Sequence, residues 1–131
     1  MKNNILIYYL TIFIFFNISN VCAKEITFDT TEINISNNGN IINAGKGVAK
    51  LIEDNIEINA NEFKYFKNLL ILEAYDGIAV ATNNNIEIKA KKFKYNKNLS
   101  IINAVGNVEI RDLEKDFLIK SQNIFYYIKD N

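Results

Sequence analysis

A 30-residue internal repeat constrains the fold of this chain more than any other feature. Residues Asn55–Leu69 return as Asn85–Leu99 with the same order of apolar, charged and turn residues. Gly47-Val48-Ala49 likewise returns as Gly77-Ile78-Ala79, and Asn107-Val108-Glu109 falls on the same spacing. Self-similarity at such a period is typical of stacked units that share a continuous core, because one unit cannot bury its apolar face alone.

The same register extends beyond these copies. It begins at Ile26 and reaches Tyr126, so that it covers nearly all of the chain after the first 25 residues. The downstream spacing grows to 31, which predicts one inserted residue between Val108 and Phe117. The array then stops at Tyr126-Tyr127-Ile128 without a recognisable capping segment. An uncapped apolar edge invites strand addition from another chain, although a truncated reading frame would leave the same end.

Within each unit the apolar residues alternate with polar ones, which is the pattern of a half-buried β-strand. Ile56, Ile58 and Ala60 share one face, and the polar pair Asn61-Glu62 then precedes Phe63. Ala60 and Phe63 are three positions apart, and in a straight strand this odd spacing would place them on opposite faces. We therefore predict a bulge or bend that keeps both parts of the strand facing inward. We expect three or four short strands in each unit. Turns are predicted at Asp54-Asn55, Lys67-Asn68, Asn84-Asn85 and Lys97-Asn98, and at the glycines Gly47, Gly77 and Gly106.

The first 23 residues have the pattern of a secretory signal peptide. Lys2 supplies a positive start, Ile5–Phe16 is almost wholly apolar, and Val21-Cys22-Ala23 offers small residues at a cleavage point. A membrane anchor is the alternative, but the run is shorter than the roughly 20 residues that span a bilayer. We therefore expect an exported domain over residues 24–131, located in the periplasm, where it can associate with the outer membrane. Cys22 is the single cysteine, so cleavage after Ala23 leaves no thiol for a disulfide.

Composition argues against several classes of function. The chain has no histidine, and it has fifteen basic and fifteen acidic residues. The absence of histidine disfavours His-based catalysis and metal binding, and the balance of charges disfavours electrostatic attraction to nucleic acid. Gly45-Lys46-Gly47 resembles a phosphate loop, but Gly39 is one residue too far upstream and Gly47 stands where Ser or Thr is needed. We predict neither an enzyme nor a cofactor site.

The repeat motifs resemble those of a known family. The stretch Gly106–Ile110 followed by Ser121–Tyr126, together with Ile56–Tyr65 and Ile86–Tyr95, is similar to the repeat of the OstA-like (LptA) family of lipopolysaccharide-transport proteins. The resemblance covers residues 24–131 and implies an all-β, open, twisted β-jellyroll, a solenoid-like stack of antiparallel strands. The chain is shorter than expected for a bridge subunit, so the resemblance leaves two alternatives: a bridge protein, or the N-terminal domain of the outer-membrane assembly barrel, cut off or separately encoded.

The resemblance also implies cargo and partners. Acyl chains of lipopolysaccharide would lie in the apolar interior, and other OstA-like domains or further copies of this chain would join at the edge strands. The candidate lipid-binding residues are the predicted inward positions Ile56, Ile58, Phe63, Tyr65, Leu72, Val80, Ile86, Ile88, Phe93, Tyr95, Ile102, Val108 and Ile110. The same residues would also form an ordinary core, and the alternative function is a structural or adhesive envelope solenoid without lipid cargo.

Overall fold

Alternating apolar residues form nine β-strands in the computed structural model, which describes residues 26–128. The predicted signal peptide lies outside the described residues. Within them, no helix is long and apolar enough to cross a membrane. The strands are β1 (Ile26–Thr30), β2 (Ile33–Ser36), β3 (Ile41–Ala44), β4 (Gly47–Leu51), β5 (Ile56–Phe66), β6 (Ile71–Ala81), β7 (Ile86–Asn96), β8 (Ile101–Asp112) and β9 (Phe117–Tyr127).

All nine strands belong to one open antiparallel sheet. Its order is β1-β4-β5-β6-β7-β8-β9, and β2 and β3 extend it beside β5. Strands β1 and β2 together cover the length of one later strand, and so do β3 and β4. The sheet therefore consists of seven rungs, and each rung runs antiparallel to the next. Rung 1 is residues 26–36, rung 2 is residues 41–51, and β5 to β9 are rungs 3 to 7. The prediction of an all-β, open stack of antiparallel strands is confirmed.

Four-residue turns connect successive rungs. The last residue of each later turn has a left-handed backbone, with φ between 50° and 55° at Asn55, Leu70, Asn85, Ser100 and Asp116. The Asn-containing turn signals were therefore correctly located. Left-handed φ is least costly for Asn, Asp and Gly, which explains why Asn recurs at this position.

A bend in the middle of each rung divides the sheet into two limbs that face each other. Limb A contains β1, β4 and residues 56–60, 77–81, 86–90, 108–112 and 117–121. Limb B contains β2, β3 and residues 63–66, 71–75, 92–96, 101–105 and 123–127. Ile58 in limb A and Phe63 in limb B are both fully buried, so the odd step between them does keep both parts of β5 inward.

Two predictions about the strands are wrong. Each 30-residue unit in the later part of the chain contains two long bent strands, because β5 to β9 pair with the same neighbouring strands on both sides of the bend. Gly77 and Gly106 lie inside strands at the bend, not in turns, and Gly47 begins β4. A Cβ at Gly77 would lie 2.3 Å from the carbonyl oxygen of Asn59, so this glycine permits close approach of two rungs.

The inserted residue also lies elsewhere than predicted. Strand β8 has twelve residues where its neighbours have eleven, and its register with β9 shifts between Val105 and Val108. Gly106 (φ 86°) and Asn107 (φ 49°) adopt left-handed conformations there and form a bulge. The extra residue therefore precedes Val108 and is absorbed at the bend, where the chain already changes direction.

Large and small side chains alternate across the inner face of the sheet. In limb B the paired row runs Ala44, Phe63, Ala74, Phe93 and Ala104. In limb A the corresponding row runs Ala49, Ile58, Ala79 and Ile88. The alternation lets the two limbs interdigitate, and each fully buried large apolar side chain contributes about 1.5–3 kcal/mol.

The limbs pack with an offset along the stack. Phe28 in limb A of rung 1 contacts Phe63 and Tyr65 in limb B of rung 3, with ring centroids 5.8 and 6.4 Å apart. Asp54, in the turn between rungs 2 and 3, contacts Tyr95 in limb B of rung 5. Limb A thus faces limb B two or three rungs later, as expected from the twist of a β-sheet.

Candidate functional site

The predicted inward residues line the space between the two limbs, with one exception. Most of them are less than a tenth exposed, and Ile86 and Ile110 are half-buried against the same cluster. Those in limb A are Ile56, Ile58, Ile86, Ile88, Val108 and Ile110. Those in limb B are Phe63, Tyr65, Leu72, Phe93, Tyr95 and Ile102. The structure thus brings residues from four strands, β5 to β8, to one apolar surface.

Val80 is the exception, because it lies on the outer face. It pairs with Glu57 and Glu87, and its neighbours Ala79 and Ala81 are the residues that face inward. Strict alternation from Leu72 would place Val80 inside. The bend beside Gly77 changes the alternation by one residue, and the prediction for Val80 did not allow for it.

Several interior residues were not among the predicted set. Three of them, in limb A, are Ile26, Phe28 and Leu51. Ile26 pairs with Leu51, which pairs with the inward Ile56, and Phe28 pairs with Ala49, which pairs with the inward Ile58. The repeat register contains the signal that identifies two of them. Ile26 and Phe28 lie thirty residues before Ile56 and Ile58.

The interior is closely packed in this conformation. Phe63 and Phe93 are 0% exposed, and so are Ala74 and Ala104 beside them. The phenylalanine rings therefore occupy the space that the alanines leave. A guest acyl chain would have to separate the limbs, and the cost of doing so would be offset by burying the guest's own hydrocarbon.

The two ends of the stack expose inward-facing apolar residues. At the N-terminal end Ile33 and Ile35 in limb B are 49% and 63% exposed. At the C-terminal end Phe117 and Ile119 in limb A are 40% and 49% exposed. The offset between limbs accounts for both pairs, because limb B has no facing rung at the first end and limb A has none at the second, within the described residues.

Polar side chains join the limbs on the side opposite the bend, which we call the mouth. The Tyr95 hydroxyl donates to Oδ2 of Asp54, and the Ser100 hydroxyl donates to Oδ1 at 3.3 Å. All three residues are buried. Burial, followed by the hydrogen bond to Asp54, raises the pKa of Tyr95, so its hydroxyl keeps the proton that it donates.

A second polar contact crosses the mouth one repeat later. Nδ2 of Asn84 donates to the Tyr126 hydroxyl at 3.3 Å. A small cavity of about 40 Å³ lies beside this contact, and its lining includes Asp54, Asn84, Tyr126 and Ile128. The mouth is therefore less tightly filled than the interior behind it.

The outer face is charged. Ion pairs between neighbouring rungs join Lys50 to Glu57 at 3.4 Å, Lys92 to Glu73 at 3.0 Å and Lys120 to Glu109 at 3.2 Å. Exposed pairs of this kind contribute little to stability but keep the surface solvated and fix neighbouring rungs in register. The arrangement gives the sheet one apolar side and one water-facing side.

No family model matches the chain, and no curated protein matches it. The resemblance to the OstA-like family stays a prediction.

Proposed function

We propose that this protein is a periplasmic module of lipopolysaccharide transport and outer-membrane assembly, which shields acyl chains between its limbs and joins partner modules at its ends. One observation carries the proposal: within residues 26–128, an apolar interior runs the length of the stack and is exposed at Ile33 and Ile35 on one end and at Phe117 and Ile119 on the other. The predicted signal peptide supports the periplasmic location.

The division of the sheet into two faces suits an amphiphilic cargo. Burial of hydrocarbon between the limbs contributes about 0.8 kcal/mol per CH₂ group, while the sugars and phosphates remain in water. Outer-face groups such as Lys64 and Lys94 lie in paired positions beside Glu73 and leave that face polar. The interior itself offers a surface without charged groups along its central rungs, where Ile58, Phe63 and Phe93 lie.

The ends suit partners of the same fold. In the described chain β9 has one neighbouring strand, β8, so its other edge is a place where a further strand can add. The exposed inward residues of the two ends come from opposite limbs, limb B at the first end and limb A at the last. A second module placed in line would cover both limbs at once. The partner is another OstA-like domain or a second copy of this chain.

Photo-crosslinking in cells tests the cargo. A photoreactive phenylalanine replaces Phe63 or Phe93 in the interior. Phe66 serves as the matched control, because its side chain lies on the outer face near Lys64. We expect lipopolysaccharide adducts from both interior positions and none from the control. If neither Phe63 nor Phe93 gives adducts in protein that is expressed and folded, the carrier role is ruled out.

A scaffold without cargo is the second candidate function. The observation that favours it is the complete burial of Phe63 and Phe93, since a core already filled by its own side chains needs no guest. In that case the interior probes would crosslink only within the chain. The module would still join partners through its ends, so the same crosslinking experiment separates the two functions.

A further inference from the structure

One row of side chains on the outer face of limb B carries no charge. We call this row the stripe, and its paired positions cross all seven rungs: Ser36, Ile41, Phe66, Ile71, Asn96, Ile101 and Tyr127. The stripe faces outward because the positions beside it, such as Tyr65 and Leu72, are buried in the interior. The outer rows of limb A, by contrast, contain charged pairs such as Lys50 with Glu57.

Two leucines extend the stripe beyond the strands. Leu69 and Leu99 are thirty residues apart and occupy the same place in the turns that join rung 3 to rung 4 and rung 5 to rung 6. They are 59% and 63% exposed. Each of these turns connects two residues of the stripe, so the leucines and the stripe form one apolar surface.

Lysines border this surface on both sides. Lys64 and Lys94 lie in the adjacent outer row of limb B, and Lys67 begins the turn that contains Leu69. The acidic residue of the adjacent row, Glu73, forms an ion pair of 3.0 Å with Lys92. The charge beside the stripe is therefore positive.

The two limbs differ in charge as a whole. Five lysines and two acidic residues belong to limb B and its turns, which are residues 33–44, 62–75, 92–105 and 123–128. Five basic and nine acidic residues belong to limb A and its turns, which are residues 26–30, 47–60, 77–90 and 107–121. An anionic surface therefore attracts limb B and repels limb A, which orients the described chain.

We propose that the outer face of limb B binds the surface of a bilayer that contains anionic phospholipids. Leu69, Leu99 and the apolar residues of the stripe enter the boundary between headgroups and acyl chains, as apolar faces bordered by lysines do. The lysines beside the stripe extend their charged ends to the lipid phosphates. The inference does not depend on the proposed function, because neither the interior nor the ends of the stack take part.

Sedimentation with vesicles tests the proposal on the purified chain in the form that cells export. The vesicles contain phosphatidylcholine alone or with about one third phosphatidylglycerol, and no lipopolysaccharide. The first variant combines Leu69→Ser with Leu99→Ser. Its matched control combines Ile52→Ser with Leu113→Ser, because these two residues are each 55% exposed in turns of limb A.

A second pair of variants separates local charge from net charge. Lys64→Gln with Lys94→Gln removes two charges beside the stripe. Lys50→Gln with Lys89→Gln removes the same number from the outer face of limb A. Circular dichroism checks that each variant is folded, and the lysine variants keep the test decisive if a leucine variant is not.

We expect the unaltered chain to bind the anionic vesicles at least about tenfold more tightly than the neutral ones, with an affinity that falls as salt rises. The limb B leucine and lysine variants should each lose about tenfold in affinity. The limb A variants should stay within about twofold of the unaltered chain. In cells, a photoreactive residue at Phe66, within the stripe, should give phospholipid adducts and no lipopolysaccharide adducts.

Three results would overturn the proposal: no binding to anionic vesicles, equal binding to both kinds of vesicle, or equal losses in the limb A and limb B variants. Because the vesicles lack lipopolysaccharide, any of these results leaves the crosslinking test of the cargo unaffected.

Discussion

Phe63 and Phe93 occupy the same position in successive repeats, and each packs between two alanines on the neighbouring strands. Ala44 and Ala74 flank Phe63, and Ala74 and Ala104 flank Phe93. A phenylalanine ring fills the volume above the two alanines, which is why all of these positions are nearly or fully buried. The residue types at these positions therefore depend on one another across strands.

Truncation of one ring tests this packing. We expect Phe93→Ala to lower the free energy of unfolding by about 3–5 kcal/mol, because the neighbouring alanines cannot fill the cavity. Phe125→Ala is the control, since Phe125 lies on the outer face of β9 and is 58% exposed. Urea titration should show a change within about 0.5 kcal/mol for the control. Similar losses for both variants would contradict the account of the core.

At the scale of the strand, the alternation of apolar and polar residues located the strand segments, but it did not predict that the strands continue through the bend. The period of two and the Asn-rich turn signals identified the strand segments, the turns between rungs and the inward face of β5. Four features were misassigned: the number of strands in each unit, the placement of glycines in turns, the side of the sheet on which Val80 lies, and the place of the inserted residue. All four depend on the bend, where Gly77 and Gly106 occupy strand positions with turn-like composition. Glycine indicates either a turn or a close approach, and composition alone does not separate the two.

The repeat register predicts the inward-facing apolar residues that are exposed at the two ends of the described stack, but it does not predict the polar contacts across the mouth. The contact of Asp54 with Tyr95, by contrast, joins residues 41 positions apart and depends on the offset between limbs. That offset follows from the twist of the sheet, for which the sequence pattern has no direct signal.

The close approach of rungs at the bend is testable at this scale. We expect Gly77→Ala to lower the free energy of unfolding by about 1–3 kcal/mol, because the new methyl would meet the backbone of β5 2.3 Å away. Gly45→Ala is the matched control: its methyl would first meet the hydroxyl of the Thr31 side chain at 2.8 Å, which can rotate away. Thermal unfolding compares the two. A larger loss for Gly45→Ala would show that the bend does not require close backbone approach.

For the whole molecule, the offset of the limbs determines which apolar surface each end exposes for joining another copy. Each end leaves one limb uncovered, and the uncovered limbs are opposite ones. Ile35 belongs to limb B at the first end, and Ile119 belongs to limb A at the last. A copy stacked in line brings these surfaces together, and burial of both removes apolar area from water. The stack can therefore lengthen without a change of fold, and its interior becomes continuous across the junction.

Sedimentation of complementary end variants tests this central claim most directly. Ile35→Lys blocks the N-terminal end and Ile119→Lys blocks the C-terminal end, and both positions are exposed enough for the variants to fold. Either variant alone lacks one intact surface of the pair, so we expect monomers, whereas the unaltered chain forms longer species as its concentration rises. An equimolar mixture of the variants should form dimers and nothing longer, through the one junction that remains intact. Monomers in the mixture, or self-association of either variant equal to that of the unaltered chain, would contradict end-to-end joining.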